Sequence, residues 1–214
     1  EERELANNGM MLWRNMNHAY LEAAMGYPAN LNGTSYQNTG FNEPNAVAYM
    51  ESHDEERMMY KNLQYGNSNG DYDITELNTA LDRVKLTSAF FYTIPGPKML
   101  WEFGELGYDY SINWPSGTGD DRLTPKPPRW DYFQMENRRK VYKTIAVLTE
   151  LKTKYPAFET TDFDLNVSSK MKSIHLNHDS MNVAVIGNFD VVTKSINPEF
   201  QHTGMWYDYF RDDS

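Results

Sequence analysis

The chain has 214 residues, enough for one large domain or a medium domain with a smaller one, and its 30 acidic and 20 basic side chains give a net charge of −10. That charge disfavours nucleic acid or an anionic membrane surface as a partner, because both are polyanions. The absence of cysteine excludes a disulfide, a thiolate metal site and a cysteine nucleophile, and no apolar run approaches the roughly 20 residues of a membrane span. The sequence begins at Glu1 without an initiator Met or a signal pattern, so we expect that a preceding segment is not included.

Three stretches place apolar residues at the three- and four-residue spacing of amphipathic helices. They cover residues 12–25, 74–91 and 135–155. Gly26, with Pro28 beyond it, ends the first helix, and Pro156 ends the third. Asp73 is the predicted N-cap of the second helix, with Glu76 as its reciprocal partner.

Two short apolar runs, Ala46 to Met50 and Lys98 to Phe103, lie between these helices. They are too brief for helices and lack clean alternation, which is typical of strands buried on both faces. The order helix, strand, helix, strand, helix predicts parallel-sheet units, in which reactive residues collect past the carboxyl ends of the strands. Both predicted strands are followed by carboxylate-rich segments, residues 51–56 and 104–109.

After Pro156 the pattern changes to short β runs separated by polar turns. They cover residues 163–167, 172–176, 183–186 and 204–210. The second and third runs read as a hairpin, and the region as a whole is typical of a small antiparallel sandwich. We therefore expect two domains, residues 1–157 and 158–214.

The segment from Val47 to Tyr60 reads VAYMESHDEERMMY and places an imidazole, His53, beside a carboxylate, Asp54. At the mouth of a barrel this pair would hydrogen-bond vicinal sugar hydroxyls or stabilise a positively charged transition state. Taken alone, the pair favours a structural interpretation, an Asp that caps the next helix and a His that bonds to the backbone.

Three segments together carry a resemblance to a known family. They read Ser-His-Asp at residues 52–54, IPGPKMLWEFGE at residues 94–105 and RLTPKPPRW at residues 122–130. They resemble glycoside hydrolase family thirteen, the α-amylase family, whose seventh barrel strand ends in Asn-His-Asp. In that family the last strand follows a Gly-Ile-Pro turn and ends near Gly-x-Glu, and an Arg-x-Pro-x-x-Trp segment comes next.

The resemblance implies an α/β fold, the closing part of a (β/α)8 TIM barrel followed by a partial antiparallel β-sandwich. It implies action on α-glucans, namely starch, glycogen and maltooligosaccharides, by a retaining mechanism. The family's nucleophile and general acid lie on earlier strands, upstream of this chain, so the chain alone is expected to be inactive. Asp54 would stabilise the transition state without attacking, and His53 would bind hydroxyls of the same sugar.

Two departures from the family pattern leave alternatives open. Ser52 stands where the family usually has Asn and is similar to the motif of glycogen-branching enzymes, so transglycosylation remains an alternative to hydrolysis. Phe103 stands where amylases usually have Gly, so the turn before Glu105 is expected to differ. A non-catalytic carbohydrate-binding module, with binding by residues after 156, is a further alternative.

The resemblance also implies a substrate contact at Glu105. Tyr108 and Trp114 are predicted to contact substrate because they follow the last strand and sugars stack on aromatic faces. We predict no metal site and no cofactor in this chain: the acidic run at 51–56 lacks the Asp-x-Asp-x-Asp-Gly pattern, and His175 and His178 straddle a predicted turn. The resemblance leaves calcium possible in a longer parent protein.

A partial barrel would leave strand edges unpaired and part of its core uncovered. We therefore expect, besides the glucan, either the missing N-terminal half of the barrel or a second copy of the chain as a partner. No nucleic acid and no membrane is expected among the partners.

Overall fold

The computed structural model of the chain describes residues 1–210, so the last residues of the predicted domain 158–214 lie outside it. The helices in this range are α1 (Glu2–Asn7), α2 (Asn17–Ala24), α3 (Met58–Tyr65), α4 (Leu77–Thr93) and α5 (Glu136–Lys154). The strands are β1 (Leu12–Asn15), β2 (Ala46–Tyr49), β3 (Ser68–Asn69), β4 (Tyr72–Asp73), β5 (Lys98–Met99), β6 (Phe163–Asn166), β7 (Met171–Leu176) and β8 (Val183–Asn188).

Strands β1, β2 and β5 form a parallel sheet with β2 in the middle. The predicted helix over residues 12–25 is therefore wrong in its first turn, because residues 12–15 pair with residues 46–49. Backbone bonds from Leu12 N to Asn45 O (2.8 Å) and from Met16 N to Tyr49 O (3.0 Å) extend the ladder at both ends. Sheet pairing prevails here over helical spacing, and only the remainder of the predicted segment forms α2.

Strand β5 is shorter than the predicted run from Lys98 to Phe103. The chain turns after Met99, and Gly104 N donates to Trp101 O at 3.0 Å. Phe103 has φ of 59°, in the left-handed region that favours glycine. Phe103 thus adopts a backbone conformation that glycine enters freely.

Helices α4 and α5 confirm the second and third predicted helices, and both contribute to the main apolar core. Phe91 of α4 packs edge-on against Tyr20 of α2, with ring centres 5.3 Å apart. The predicted N-cap Asp73 is wrong, because α4 begins later and Glu76 occupies the cap position. The Asp73 carboxylate instead accepts hydrogen bonds from the backbone N–H and hydroxyl of Thr75, both at 2.8 Å. These bonds stabilise a turn that precedes α4.

Strands β6, β7 and β8 form an antiparallel sheet, and the predicted hairpin is confirmed by the pairing of β7 with β8. The predicted strand at residues 204–210 is wrong, since that segment pairs with no strand among the described residues. Trp206 stacks instead on Phe200 and His202, with ring centres 4.6 and 4.7 Å apart. Residues 1–210 therefore contain three sheets: the three parallel strands, the two-stranded antiparallel pair of β3 with β4, and the three-stranded antiparallel sheet. They form neither a complete sandwich nor a closed barrel.

Two buried cations join the antiparallel sheet to the helices. Arg83 of α4 donates to the backbone oxygens of Ala23 (2.7 Å), Ala24 (2.8 Å) and Phe189 (2.7 Å), which lie at the end of α2 and just after β8. Lys172 of β7 donates to backbone oxygens of residues 29, 167 and 169 at 2.6–2.8 Å. Water has little access to these carbonyl oxygens, so the two cations supply them with hydrogen bonds.

Candidate functional site

The predicted pair His53 and Asp54 lies in the β2–α3 loop, residues 50–57, which begins where the middle parallel strand ends. Their side chains are 71% and 60% exposed, and His53 Nε2 lies 3.2 Å from Asp54 Oδ2. The imidazole also contacts Trp101, which follows β5, with ring centres 5.8 Å apart and ring planes inclined at 48°. The carboxyl ends of two neighbouring strands thus bring an imidazole, a carboxylate and an indole to one exposed surface.

Behind this pair, Glu51 and Arg57 form a buried ion pair, with Arg57 Nη1 3.2 Å from Glu51 Oε2. The other oxygen of Glu51 accepts from Met58 N at 2.6 Å, at the start of α3. Arg57 also donates to Glu102 O at 3.0 Å, and its guanidinium lies over the Tyr108 ring. This ion pair joins residues near the two ends of the β2–α3 loop, and Arg57 ties the loop to the segment after β5.

The two carboxylates that follow Asp54 are also engaged. Glu55 accepts hydrogen bonds from Ser52 and from Asn15, at the end of β1. Glu56 accepts from the hydroxyl of Ser111 at 2.7 Å and from the backbone N–H of Ile112 at 2.8 Å. The acidic run at 51–56 therefore contributes one exposed carboxylate, Asp54, while its other acidic side chains hold the loop in place.

Arg122 is the cation nearest to Asp54 in the described part of the chain. Its Nη2 donates to the Asp54 backbone oxygen at 2.6 Å and to Oδ1 at 3.1 Å. This arginine begins the RLTPKPPRW segment, and Lys126 steadies that segment by donating to the backbone oxygen of Arg122 at 2.9 Å. The contact brings two of the segments that carry the family resemblance together at one carboxylate.

Glu105 lies in a 3₁₀ turn (Gly104–Leu106) after β5 and is half-buried. Burial raises the pKa of its carboxyl above the usual value, and the nearby charge of Glu51 acts in the same direction. A Cβ atom at Gly104 would lie 2.8 Å from Glu51 Oε2, so a side chain there would force the carboxylate of the buried ion pair to shift.

The fold is similar to that of solved carbohydrate-active enzymes. An α-amylase from Anoxybacillus is 19% identical, with a TM-score of 0.56 over 81% of this chain and 34% of that chain. An α-amylase from Geobacillus thermoleovorans, solved with acarbose, is 14% identical, with a TM-score of 0.56 over 81% of this chain and 35% of that one. For a cyclomaltodextrin glucanotransferase the identity is 17% and the TM-score 0.56, over 81% and 31% of the two chains. No family model and no curated protein matches the sequence.

The chain has the fold of the C-terminal part of α-amylase structures. It spans about a third of the length of the structures it matches. The parallel strands, the helices that cover them and the antiparallel sheet after α5 follow the order that the resemblance implied.

In this amylase-like fold, Tyr108 is buried, with 3% exposure. Phe103 stacks on its ring at 5.7 Å between centres, Arg57 lies over it, and its hydroxyl donates to Pro127 O at 2.7 Å. Burial raises the pKa of the Tyr108 phenol to about 12. The structure thus gives Tyr108 a packing role and leaves no open ring face for the sugar contact that the sequence predicted.

Trp114 is partly exposed and packs edge-on against Tyr110, with ring centres 5.5 Å apart. Both rings line an open cleft of about 440 Å³, together with Tyr60, Arg129 and Tyr132. Arg129 donates to the hydroxyls of Tyr110 (2.8 Å) and Tyr132 (3.0 Å). Trp114 is therefore placed where a ring face and polar groups meet, and its substrate contact stays a prediction.

Residues 1–210 contain no group of three or more His, Asp or Glu side chains arranged to hold a metal ion. The two histidines do not lie on opposite sides of the turn as predicted. His175 is near the end of β7, just before the turn, with its Nε2 2.9 Å from Pro198 O. His178 does lie in the turn, 2.9 Å from the Ser180 hydroxyl. None of the helices in the described range is long and apolar enough to span a membrane.

The residues that support the site were less visible in the sequence than the pair they support. Asn17, the first residue of α2, reaches the β2–α3 loop with its side-chain amide, yet in the sequence it is only one polar position of an amphipathic helix. Glu51 and Arg57 stood inside the quoted motif, but six residues apart they carry no helical or strand signal of contact. Only the folded loop brings them together.

Proposed function

We propose that this chain is part of an α-amylase-type glycoside hydrolase that acts on α-glucans such as starch, glycogen and maltooligosaccharides. The observation that carries the proposal is the exposed pair His53 and Asp54 at the carboxyl end of the middle parallel strand, with every neighbouring carboxylate of the loop engaged by the protein. The likeness to an α-amylase solved with acarbose supports it. Family membership and substrate class are parts of this proposal.

The proposed mechanism is retaining, and its nucleophile and general acid come from a segment upstream of this chain. In such a mechanism one carboxylate attacks the anomeric carbon while a carboxylic acid protonates the departing oxygen, and water then cleaves the glycosyl-enzyme bond. Asp54 accepts hydrogen bonds from sugar hydroxyls and stabilises the positive charge that develops on the ring. His53 binds hydroxyls of the same sugar. Alone, the 214-residue chain would bind glucan without cleaving it.

Transglycosylation is the second candidate, and Ser52 favours it. The Ser52 hydroxyl donates to Glu55 and accepts from Asp54 N at 3.1 Å, so the residue that departs from the usual Asn is built into the backbone turn at Asp54. The similar TM-scores for an α-amylase and a glucanotransferase show that the fold accompanies both types of enzyme. The reaction products distinguish the two candidates.

The test measures reducing-sugar release and branch-point formation from soluble starch by the longer parent protein, beside the 214-residue chain. We expect Asp54→Asn in the parent to remove nearly all turnover while starch binding and the melting temperature stay close to wild type. Asp82→Asn is the matched control, since Asp82 is an exposed carboxylate on α4 whose partner is Lys85. Near-normal turnover of Asp54→Asn would refute the proposed function. New branch points would indicate the transglycosylase.

A further inference from the structure

The side chain of Asn17 connects the two ends of the β2–α3 loop. Its Nδ2 donates to the backbone oxygens of Met50 at 2.7 Å and of Glu56 at 3.0 Å, so both amide protons are used. Asn17 is 8% exposed, and its own backbone N–H donates to Asn15 Oδ1 at 2.9 Å, which fixes the start of α2. The residue is therefore held through both its backbone and its side chain.

An amide nitrogen suits this contact because its two N–H bonds are rigidly oriented in one plane. The two acceptors are six positions apart in the sequence, yet one NH₂ group holds both, so the distance between the loop ends is set by the amide. A hydroxyl has one proton and can satisfy only one of these oxygens. Losing the amide leaves both oxygens without this donor in a part-buried environment, where an unpaired polar group is costly.

The exposed pair in the middle of the loop has little packing of its own. Asp54 contacts His53 and Arg122, and the side chains on both sides of these contacts are largely solvent-accessible. Exposed ion pairs constrain a side chain weakly. The position of Asp54 therefore depends on the loop backbone, which Ser52 shapes from within. The ends of that loop are held by Asn17 and by the buried pair of Glu51 and Arg57.

We propose that Asn17 is a positioning residue for His53 and Asp54, acting through the closure of the β2–α3 loop. The inference rests on the proposed function, since it assigns Asn17 a role in the same site. A small displacement of a catalytic group costs on the order of 100-fold in rate. We therefore expect Asn17→Ala in the longer parent protein to lower kcat by about 10- to 100-fold with a smaller change in KM, because the positioned group acts mainly in the transition state.

Asn62→Ala is the matched control. Asn62 is a fully buried asparagine of α3 whose Nδ2 donates to Ala80 O at 3.3 Å, a contact between helices and not with the loop. Loss of its amide should lower stability and leave kcat nearly unchanged at a temperature where both variants are folded. Equal kcat values for Asn17→Ala and Asn62→Ala would overturn the positioning role.

A second measurement uses the 214-residue chain itself and needs no activity. Hydrogen exchange of the backbone amides at residues 52–56 should accelerate at least about 10-fold in Asn17→Ala relative to Asn62→Ala, with equal exchange in α4. Unchanged exchange at these amides would refute the inference. If Asn17→Ala does not fold, Asn17→Ser replaces it. Asn17→Ser keeps one donor, so exchange at residues 52–56 should accelerate by a smaller factor. No acceleration in Asn17→Ser would also refute the inference.

The two proposals fail in different ways. If Asp54→Asn keeps its turnover, the proposed function is wrong, while the exchange measurement still decides whether Asn17 closes the loop. If Asp54→Asn is inactive and Asn17→Ala matches Asn62→Ala in both kinetics and exchange, the function stands and the role of Asn17 is refuted.

Discussion

Cations are buried in two regions, the β2–α3 loop and the junction between the helices and the antiparallel sheet. The groups that bind the cations differ between the two regions. In the loop, Arg57 faces a carboxylate, Glu51, and both are nearly enclosed. At the junction, Arg83 and Lys172 bond mainly to backbone oxygens and lie on the ring of Phe189, with the charged groups 5.5 and 5.3 Å from its centre. The ion pair of Arg57 with Glu51 holds a single loop. Arg83 and Lys172 each bond to carbonyls of several chain segments and so join those segments.

This difference separates stability from site geometry. The junction satisfies carbonyls from the end of α2, from the segment after β8 and from the turn before β7, so removing a cation there should weaken the whole chain. The loop holds an exposed pair, His53 and Asp54, which contributes little to the core. Changes in the loop's supports should therefore alter the site beyond what their effect on stability explains.

The largest effect is expected at Arg83. Arg83→Met should lower the free energy of unfolding by on the order of 3 to 5 kcal/mol, since the three short bonds to the backbone oxygens of Ala23, Ala24 and Phe189 are lost together. Urea unfolding followed by circular dichroism measures this. Arg83→Lys, which keeps the charge but has a single donor group, should fall between. An unchanged unfolding midpoint for Arg83→Met would contradict the junction's role.

A smaller loss is expected at Glu51. Glu51→Gln leaves the buried Arg57 without a counter-charge, although the amide oxygen still accepts a hydrogen bond. We expect about 2 to 3 kcal/mol, somewhat below the usual cost of breaking a buried ion pair. The same urea titration tests it, with Glu22→Gln as an exchange of the same type in α2. If Glu22→Gln costs as much, the ion pair contributes nothing specific.

The contribution of Lys172 should appear in the pH dependence of the free energy of unfolding. Burial lowers the pKa of its ammonium from 10.5 to about 8 in the folded chain. Between these values the unfolded chain binds the proton that the folded chain has lost, so stability from this group rises with pH above about 8. The unfolding free energies of Lys172→Met and the wild type are compared between about pH 7.5 and 9.5. The variant should lack the rise in stability that Lys172 contributes above about pH 8.

Lys85→Met is the control for the pH series, because Lys85 is paired with Asp82 on the surface of α4. Its stability should follow the wild-type pH dependence. Parallel pH curves for Lys172→Met and the wild type would show that Lys172 stays protonated in the folded chain.

The smallest effect on stability is expected at Arg122. Its contact with Asp54 is exposed on both sides, so Arg122→Ala should change the free energy of unfolding by less than about 1 kcal/mol. Because the contact is electrostatic and exposed, high salt should reduce even that difference. A loss comparable to that of Glu51→Gln would show that the loop depends on its outer contact as much as on the buried pair.

Local patterns predicted the elements whose signals are strong and self-contained. The spacing of apolar residues in α4 and α5, the buried strand β2 and the hairpin of β7 with β8 are all present in the structure. Residues 12–15 and 204–210 were mispredicted because each pattern depends on an available neighbour. The first segment pairs with β2, whereas the second has aromatic side chains that stack locally instead of pairing in a sheet.

The sequence by itself placed His53 and Asp54 immediately after a buried strand, because a strand that ends in polar residues is a local signal. Tertiary structure alone decided that Tyr108 is enclosed, that Arg57 pairs with Glu51 and that Asn17 reaches the carbonyls of Met50 and Glu56. The contacts of Asn17 join residues 33 and 39 positions apart. No periodicity records such a pairing, since its geometry exists only after the strands and helices have packed.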